Sequence, residues 1–176
     1  MVLISSQTAS ASASLAFESG IDTTYDEYVI YFVNYHPSYN GARMGFQVNA
    51  SGQTGYNENM TTTFLNSHHS EADDAASLDY QTAEDQANGT AVQYITRETG
   101  NDDDQSASGE LHLFAFGADE EIKNWYARTQ NNYHVDYSMD NIVAGYINTE
   151  SPITQIRFST ESGNIDSGTF YLYGIK

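Results

Sequence analysis

Apolar and polar residues alternate with a period of two along nearly all of this 176-residue chain, and no stretch carries the 3.6-residue period of an amphipathic helix. An alternating segment buries one face as a strand, so a chain written this way must solve its packing with sheets. The strongest segment is YDEYVIYFVNY (Tyr25 to Tyr35). Its β-branched and aromatic residues occupy both faces, as in a central strand covered on both sides. After turn chemistry at Pro37 and Asn40-Gly41, ARMGFQVNA (Ala42 to Ala50) sets Met44, Phe46 and Val48 on one face. TASASASLAF (Thr8 to Phe17), NENMTTTFLN (Asn57 to Asn66), TAVQYITRE (Thr90 to Glu98) and SASGELHLFAF (Ser106 to Phe116) repeat the pattern. So do IKNWYARTQ (Ile122 to Gln130) and NIVAGYINT (Asn141 to Thr149). About ten short strands with turns between them predict an all-β fold, an antiparallel β-sandwich of jelly-roll type.

The end of the chain carries the clearest local signal. ITQIRFST and TFYLYGI flank the connector SGNIDSG, which predicts a hairpin of Thr154–Thr160 with Thr169–Ile175 closed through Gly163 to Gly168. Alternation puts Ile156 and Phe158 on one face, and Phe170 and Leu172 inward on the second strand. The expected domain is a single sandwich over residues 8–176, behind an N-terminal arm of residues 1–7. HHSEADDAASLDYQTAEDQANG (His68 to Gly89), with six acidic residues and no basic ones, reads as a long exposed excursion within it.

Composition narrows the function. Six Lys and Arg stand against 24 Asp and Glu, a net charge of −18, and no basic residue precedes Arg43. A surface that tracks phosphate needs clustered cations, and an anionic bilayer repels this chain, so neither nucleic acid nor membrane is an expected partner. Such a charge suits saline surroundings, where exposed like charges are screened. There is no cysteine, hence no disulfide or thiolate metal site. MVLISSQTASASAS lacks the basic segment and apolar core of a secretory signal, and no stretch reaches membrane-spanning length. The expected route out of a cell is lysis or incorporation in a particle.

Candidate chemical sites are weak. His68-His69 beside Glu71, Asp73 and Asp74 offer metal-ligand types, but adjacent strand residues point to opposite sides and chelation wants neighbours on one side. Asp102, Asp103 and Asp104 offer oxygen to calcium without the spacing of a calcium loop, and read first as an acidic turn. Neither a G-x-S-x-G elbow nor a carboxylate pair singled out by motif points to hydrolysis, so no enzyme activity and no cofactor are expected. The sequons at Asn49, Asn59 and Asn88 read as chance matches in an Asn/Thr-rich chain. Trp125, Tyr126, Tyr133 and Tyr137, in or beside the polar segment QNNYHVDYSMDN, are the candidate partner or glycan surface, because aromatic rings stack on sugars and anchor proteins. The bland alternative puts Trp125 in the core and the two later tyrosines over the sandwich edge.

The ordered set TASASASLAF, SGID, TTYDEYVIYFVN, SGELHLF, YARTQ, AGYINTESPITQIRF and SGNIDSGTFYLYGI resembles a β-sandwich domain of tailed bacteriophages, marine ones among them. It covers Thr8 to Ile175, and the closing SGNIDSGTFYLYGI is its most specific part. The resemblance implies a virion structural protein, a capsid decoration or fibre subunit, often trimeric and without catalytic residues. Its implied partners are copies of itself and other virion proteins. A receptor-binding tail module that recognises host-surface glycan is the alternative. The acidic excursion near 68–89 departs from the family pattern.

Overall fold

In the computed structural model, which describes residues 1–176, there is no helix, and twelve strands pair antiparallel throughout. The strands are β1 (Val2–Ser12), β2 (Ser14–Phe17), β3 (Glu27–Pro37), β4 (Met44–Ala50), β5 (Met60–Ser70) and β6 (Ala76–Tyr80). They continue with β7 (Gln93–Tyr94), β8 (Ala107–Phe114), β9 (Lys123–Tyr133), β10 (Tyr137–Ile147), β11 (Ile153–Thr160) and β12 (Ile165–Ile175). One sheet has eight strands in the order β1-β12-β3-β8-β9-β10-β5-β6; the other has four, β2-β11-β4-β7. A single cluster of 29 buried apolar residues fills the space between them. The all-β sandwich is as the alternation requires, with two more strands than the sequence count and sheets of unequal size.

Inward positions follow the period of two. β9 sends Trp125, Ala127, Thr129 and Asn131 inward and leaves Tyr126, Arg128 and Gln130 outside. β3 does the same with Tyr28, Ile30 and Phe32, and then slips by one so that Tyr35 is buried. The slip is a bulge: Asn34 takes φ +54°, and the β3–β8 register breaks between Phe32 and Tyr35. Gly168 on β12 sits against that bulge with φ +131°, where a Cβ would stand 3.0 Å from Asn34 O and Tyr35 Cα. Only glycine fits there.

Three sequence expectations are corrected. Residues 1–7 are no arm: Val2 to Gln7 belong to β1 and run in register with Phe170 to Gly174 of β12. Thr8 to Phe17 is two strands, and the chain changes sheets between Ser12 and Ser14. The terminal hairpin does not exist. β11 pairs with β2 and β4 in the small sheet, whereas β12 pairs with β1 and β3 in the large one. Ile156, Phe158, Phe170 and Leu172 are buried as expected, but they face each other from opposite layers. Alternation fixes which face is apolar and leaves open which strand is the neighbour. The connector Glu161–Asn164 spans the two layers and docks on the β3–β4 turn, with Ser38 N donating to Asn164 O and Glu161 N to Arg43 O.

The segment His68 to Gly89 is partly regular. β5 runs through to Ser70 and pairs with β6, and the chain then continues along β5, where Gln81 N donates to Phe64 O, Thr62 N to Gln86 O and Gly89 N to Met60 O. All of β4 is buried, polar positions included, and Asn49 Oδ1 accepts from Gly55 N and Tyr56 N of the loop beside it. Gln47 Nε2 donates to the carbonyls of Glu58, Thr90 and Ala91, which ties the overlying loops to the strand.

Candidate functional site

The four aromatic candidates separate into three places. Trp125 is 2% exposed and packs edge-on against Phe46 at 4.9 Å in the core, which removes it from any binding surface. Its place in the inward set of β9 leaves no other outcome. Tyr126 lies on the opposite side of the large sheet, facing outward. Tyr133 and Tyr137 close the β9–β10 end and do come together.

Around Tyr133 and Tyr137 the inner face of the large sheet extends beyond the small sheet's cover. Here β5, β6, β9 and β10, with the returning segment 81–97, enclose a hollow of about 220 Å³. Its residues are Asn66, His68, Asp79, Gln81, Arg97, Tyr133, Tyr137 and Met139. Three rings form its aromatic wall: Tyr137 is stacked with His68 at 5.3 Å and with Tyr133 at 5.7 Å. His69 points to the other face of the sheet and meets Asp73 at 3.3 Å, so the adjacent histidines diverge as strand geometry demands.

The polar side of the hollow is held from behind. Arg97 Nη1 donates to Glu84 at 2.7 Å, and Glu84, almost wholly buried, also accepts from Arg43 Nη1 at 2.5 Å. Arg43 completes the cluster with a bidentate pair to Glu161 and lies over the Tyr94 ring at 4.6 Å. Tyr133 donates its hydroxyl to Glu98; burial, with that carboxylate beside it, pushes the phenol up to about 12. Gln81 Nε2 donates to Asn66 Oδ1 at 2.5 Å. Asn66 is 2% exposed, and its Nδ2 donates to no protein atom.

The second candidate surface is the outer face of the large sheet. Register places Tyr80, Leu65 and Ile142 side by side across β6, β5 and β10, with Leu78 two residues from Tyr80 on the same face. Leu78 is 74% exposed, and Tyr80, Ile142 and Leu65 stand at 47%, 46% and 38%. Tyr146 and Tyr126 continue the apolar surface on β10 and β9. Nearer the middle, His112 stacks on Tyr126 at 4.5 Å and contacts Glu27 through Nδ1 at 2.5 Å. Arg128 and Asp140 pair at 3.0 Å beside an open depression of about 500 Å³ that also includes Tyr31, Val33 and Glu110.

Asp102, Asp103 and Asp104 form a turn in which Gln105 N donates to Asp102 O at 2.8 Å. Asp102 borders one small polar hollow and Asp103 another, with Asp104 between them. No three His, Cys, Asp or Glu side chains stand close enough together to hold a metal ion.

Sequence reasoning did not find Arg97, Glu84 or Asp79. Arg97 carried a signal, as one of six cations in so acidic a chain. Asn66 and His68 share the inward side with Phe64, which alternation alone reveals. Comparison with known proteins gives no match: no family model, curated protein or solved structure is similar to this chain.

Proposed function

We propose that this chain is a non-enzymatic structural subunit of a tailed-bacteriophage particle, of the capsid-decoration or fibre type, that assembles with copies of itself through the outer face of its large sheet. The phage assignment, and trimeric assembly with it, rests on the resemblance of the closing SGNIDSGTFYLYGI and the preceding strands. The observation that carries the assembly is the exposed apolar row Tyr80–Leu65–Ile142, with Leu78 beside it, against the free edge of β6. An apolar patch on a sheet face beside an unpaired edge favours burial by a partner.

Charge selects the partner. Two copies that each carry −18 repel wherever carboxylates face each other. On this patch the nearby Asp140 is already matched by Arg128, while Asp85, which accepts from the Tyr80 hydroxyl, is the carboxylate a second copy meets at its edge. Four of the chain's other five cations are similarly committed, Arg43 and Arg97 to Glu84, Lys123 to backbone carbonyls and Arg157 to the Tyr56 ring, which leaves Lys176 at the exposed end. Little positive charge remains for phosphate or an acidic partner.

Reconstitution tests the reading. Particles grown without this chain should take up the purified protein and should fail to take up an Ile142→Asp variant that melts like wild type. Uptake indifferent to Ile142→Asp, or none at all, overturns it.

A further inference from the structure

We propose that the hollow between Tyr133, Tyr137, His68 and Asp79 binds one neutral hexopyranose, the terminal ring of a glycan. The hollow opens on the inner side of the large sheet, opposite the assembly face, so this inference stands apart from the assembly reading.

Size comes first. About 220 Å³ accommodates a single sugar ring and is below the range of sites for larger cofactors. A hexopyranose presents apolar C–H groups on its faces and hydroxyls around its rim, so its site needs an aromatic wall with donors and acceptors at the margin. The stacked His68, Tyr137 and Tyr133 rings supply the wall, with Met139 adding apolar surface. At the margin, the Asn66 amide supplies a donor and the exposed Asp79 carboxylate an acceptor for hydroxyls.

Charge sets the class. The Arg97 guanidinium pairs with Glu84 and lies 3.8 Å from Glu98, so two carboxylates offset its charge at the hollow, although its Nε donates to no protein atom. Asp79 then faces the hollow as a carboxylate and disfavours uronates, sialylated ends and phosphosugars. The Glu84 cluster and the Glu98–Tyr133 bond fix the walls before any ligand arrives, which lowers the ordering cost of binding.

Saturation-transfer NMR on the full chain tests this with the methyl glycosides of glucose, galactose, mannose and N-acetylglucosamine, and with methyl glucuronide. At least one neutral glycoside should bind in the millimolar range expected for so small a ligand. Tyr137→Ala and Asp79→Ala should each weaken it about tenfold or more, and Tyr126→Ala on the outer face should leave it unchanged. Asp79 is exposed, so its variant is expected to fold even if loss of Tyr137 disturbs the β10 end. Binding by none of the neutral glycosides, binding indifferent to both pocket variants, or preference for the glucuronide overturns the proposal. Loss of sugar binding in variants that still enter the particle leaves the assembly reading intact.

Discussion

Phe158 and Phe170 pack ring against ring at 5.1 Å across the sandwich, one from β11 in the small sheet and the other from β12 in the large sheet. Strands consecutive in sequence thus become opposite walls of the core. Tyr35 adds a link between the layers by donating its hydroxyl to Thr160 Oγ1 at 3.0 Å. β12 is an inner strand of its sheet, between β1 and β3, so its residues hold both the sheet and the core together.

Leu172 is fully buried on β12. Leu172→Ala should cost about 2–5 kcal/mol, a large share of a typical total of about 5–15 kcal/mol. Urea unfolding followed by tyrosine fluorescence checks it. A loss below about 1 kcal/mol would mean that the two layers are not joined as described.

Gly168→Ala should destabilise by more than about 1 kcal/mol, because alanine at φ +131° is strained and its methyl would press on the Asn34–Tyr35 backbone. The same measurement checks it, with Ser167→Ala on the exposed neighbour as the comparison near zero.

Much of this core is legible in the sequence because the period of two names the buried face. Phe170, Leu172, Ile156 and Phe158 are inward, and so are Met44, Phe46 and Val48. Partner choice is not legible. SGNIDSG looks like a hairpin connector, yet β2, β4, β1 and β3 each offer edges that compete for β11 and β12. Glycines at φ +72° and +131° suit a layer-spanning connector as well as a tight turn. Of the candidate surface residues, Tyr133 and Tyr137 do meet at one site, whereas Trp125 belongs to the core. The Arg43–Glu84–Arg97 cluster joins residues distant in sequence and lies in loops without periodicity, so no local pattern could announce it.

Glu84→Gln should be the more damaging of two carboxylate changes, by about 3 kcal/mol, because it leaves the partly buried Arg97 without a hydrogen-bonded carboxylate and Arg43 with Glu161 alone. Glu161→Gln, at a more exposed position, should cost less. Equal and small losses for both would show that the cluster does not hold the loops over the small sheet.

Stability should also fall in acid through Glu161. Hydrogen bonds from Arg43 hold its carboxyl below the ordinary glutamate value. A depressed folded-state pKa contributes its stability in full above the unfolded value, about 4.3, and loses it as pH falls through the folded value. The urea midpoint should therefore decline as pH drops below about 4, and Glu161→Gln should flatten part of that decline. An identical pH profile in the variant would remove Glu161 from the account.

Sedimentation velocity on the purified chain at micromolar concentration and high salt reads self-assembly through the outer face of the large sheet, comparing wild type with the double variant Leu65→Asp/Ile142→Asp. Both positions are exposed but lie directly opposite each other on β5 and β10, so the facing aspartates should lower the melting temperature, and the comparison is made where circular dichroism shows the variant folded. The wild type should sediment as a trimer and the variant as a monomer. A wild-type monomer, or an oligomer that survives both substitutions, would contradict assembly through the outer face of the large sheet.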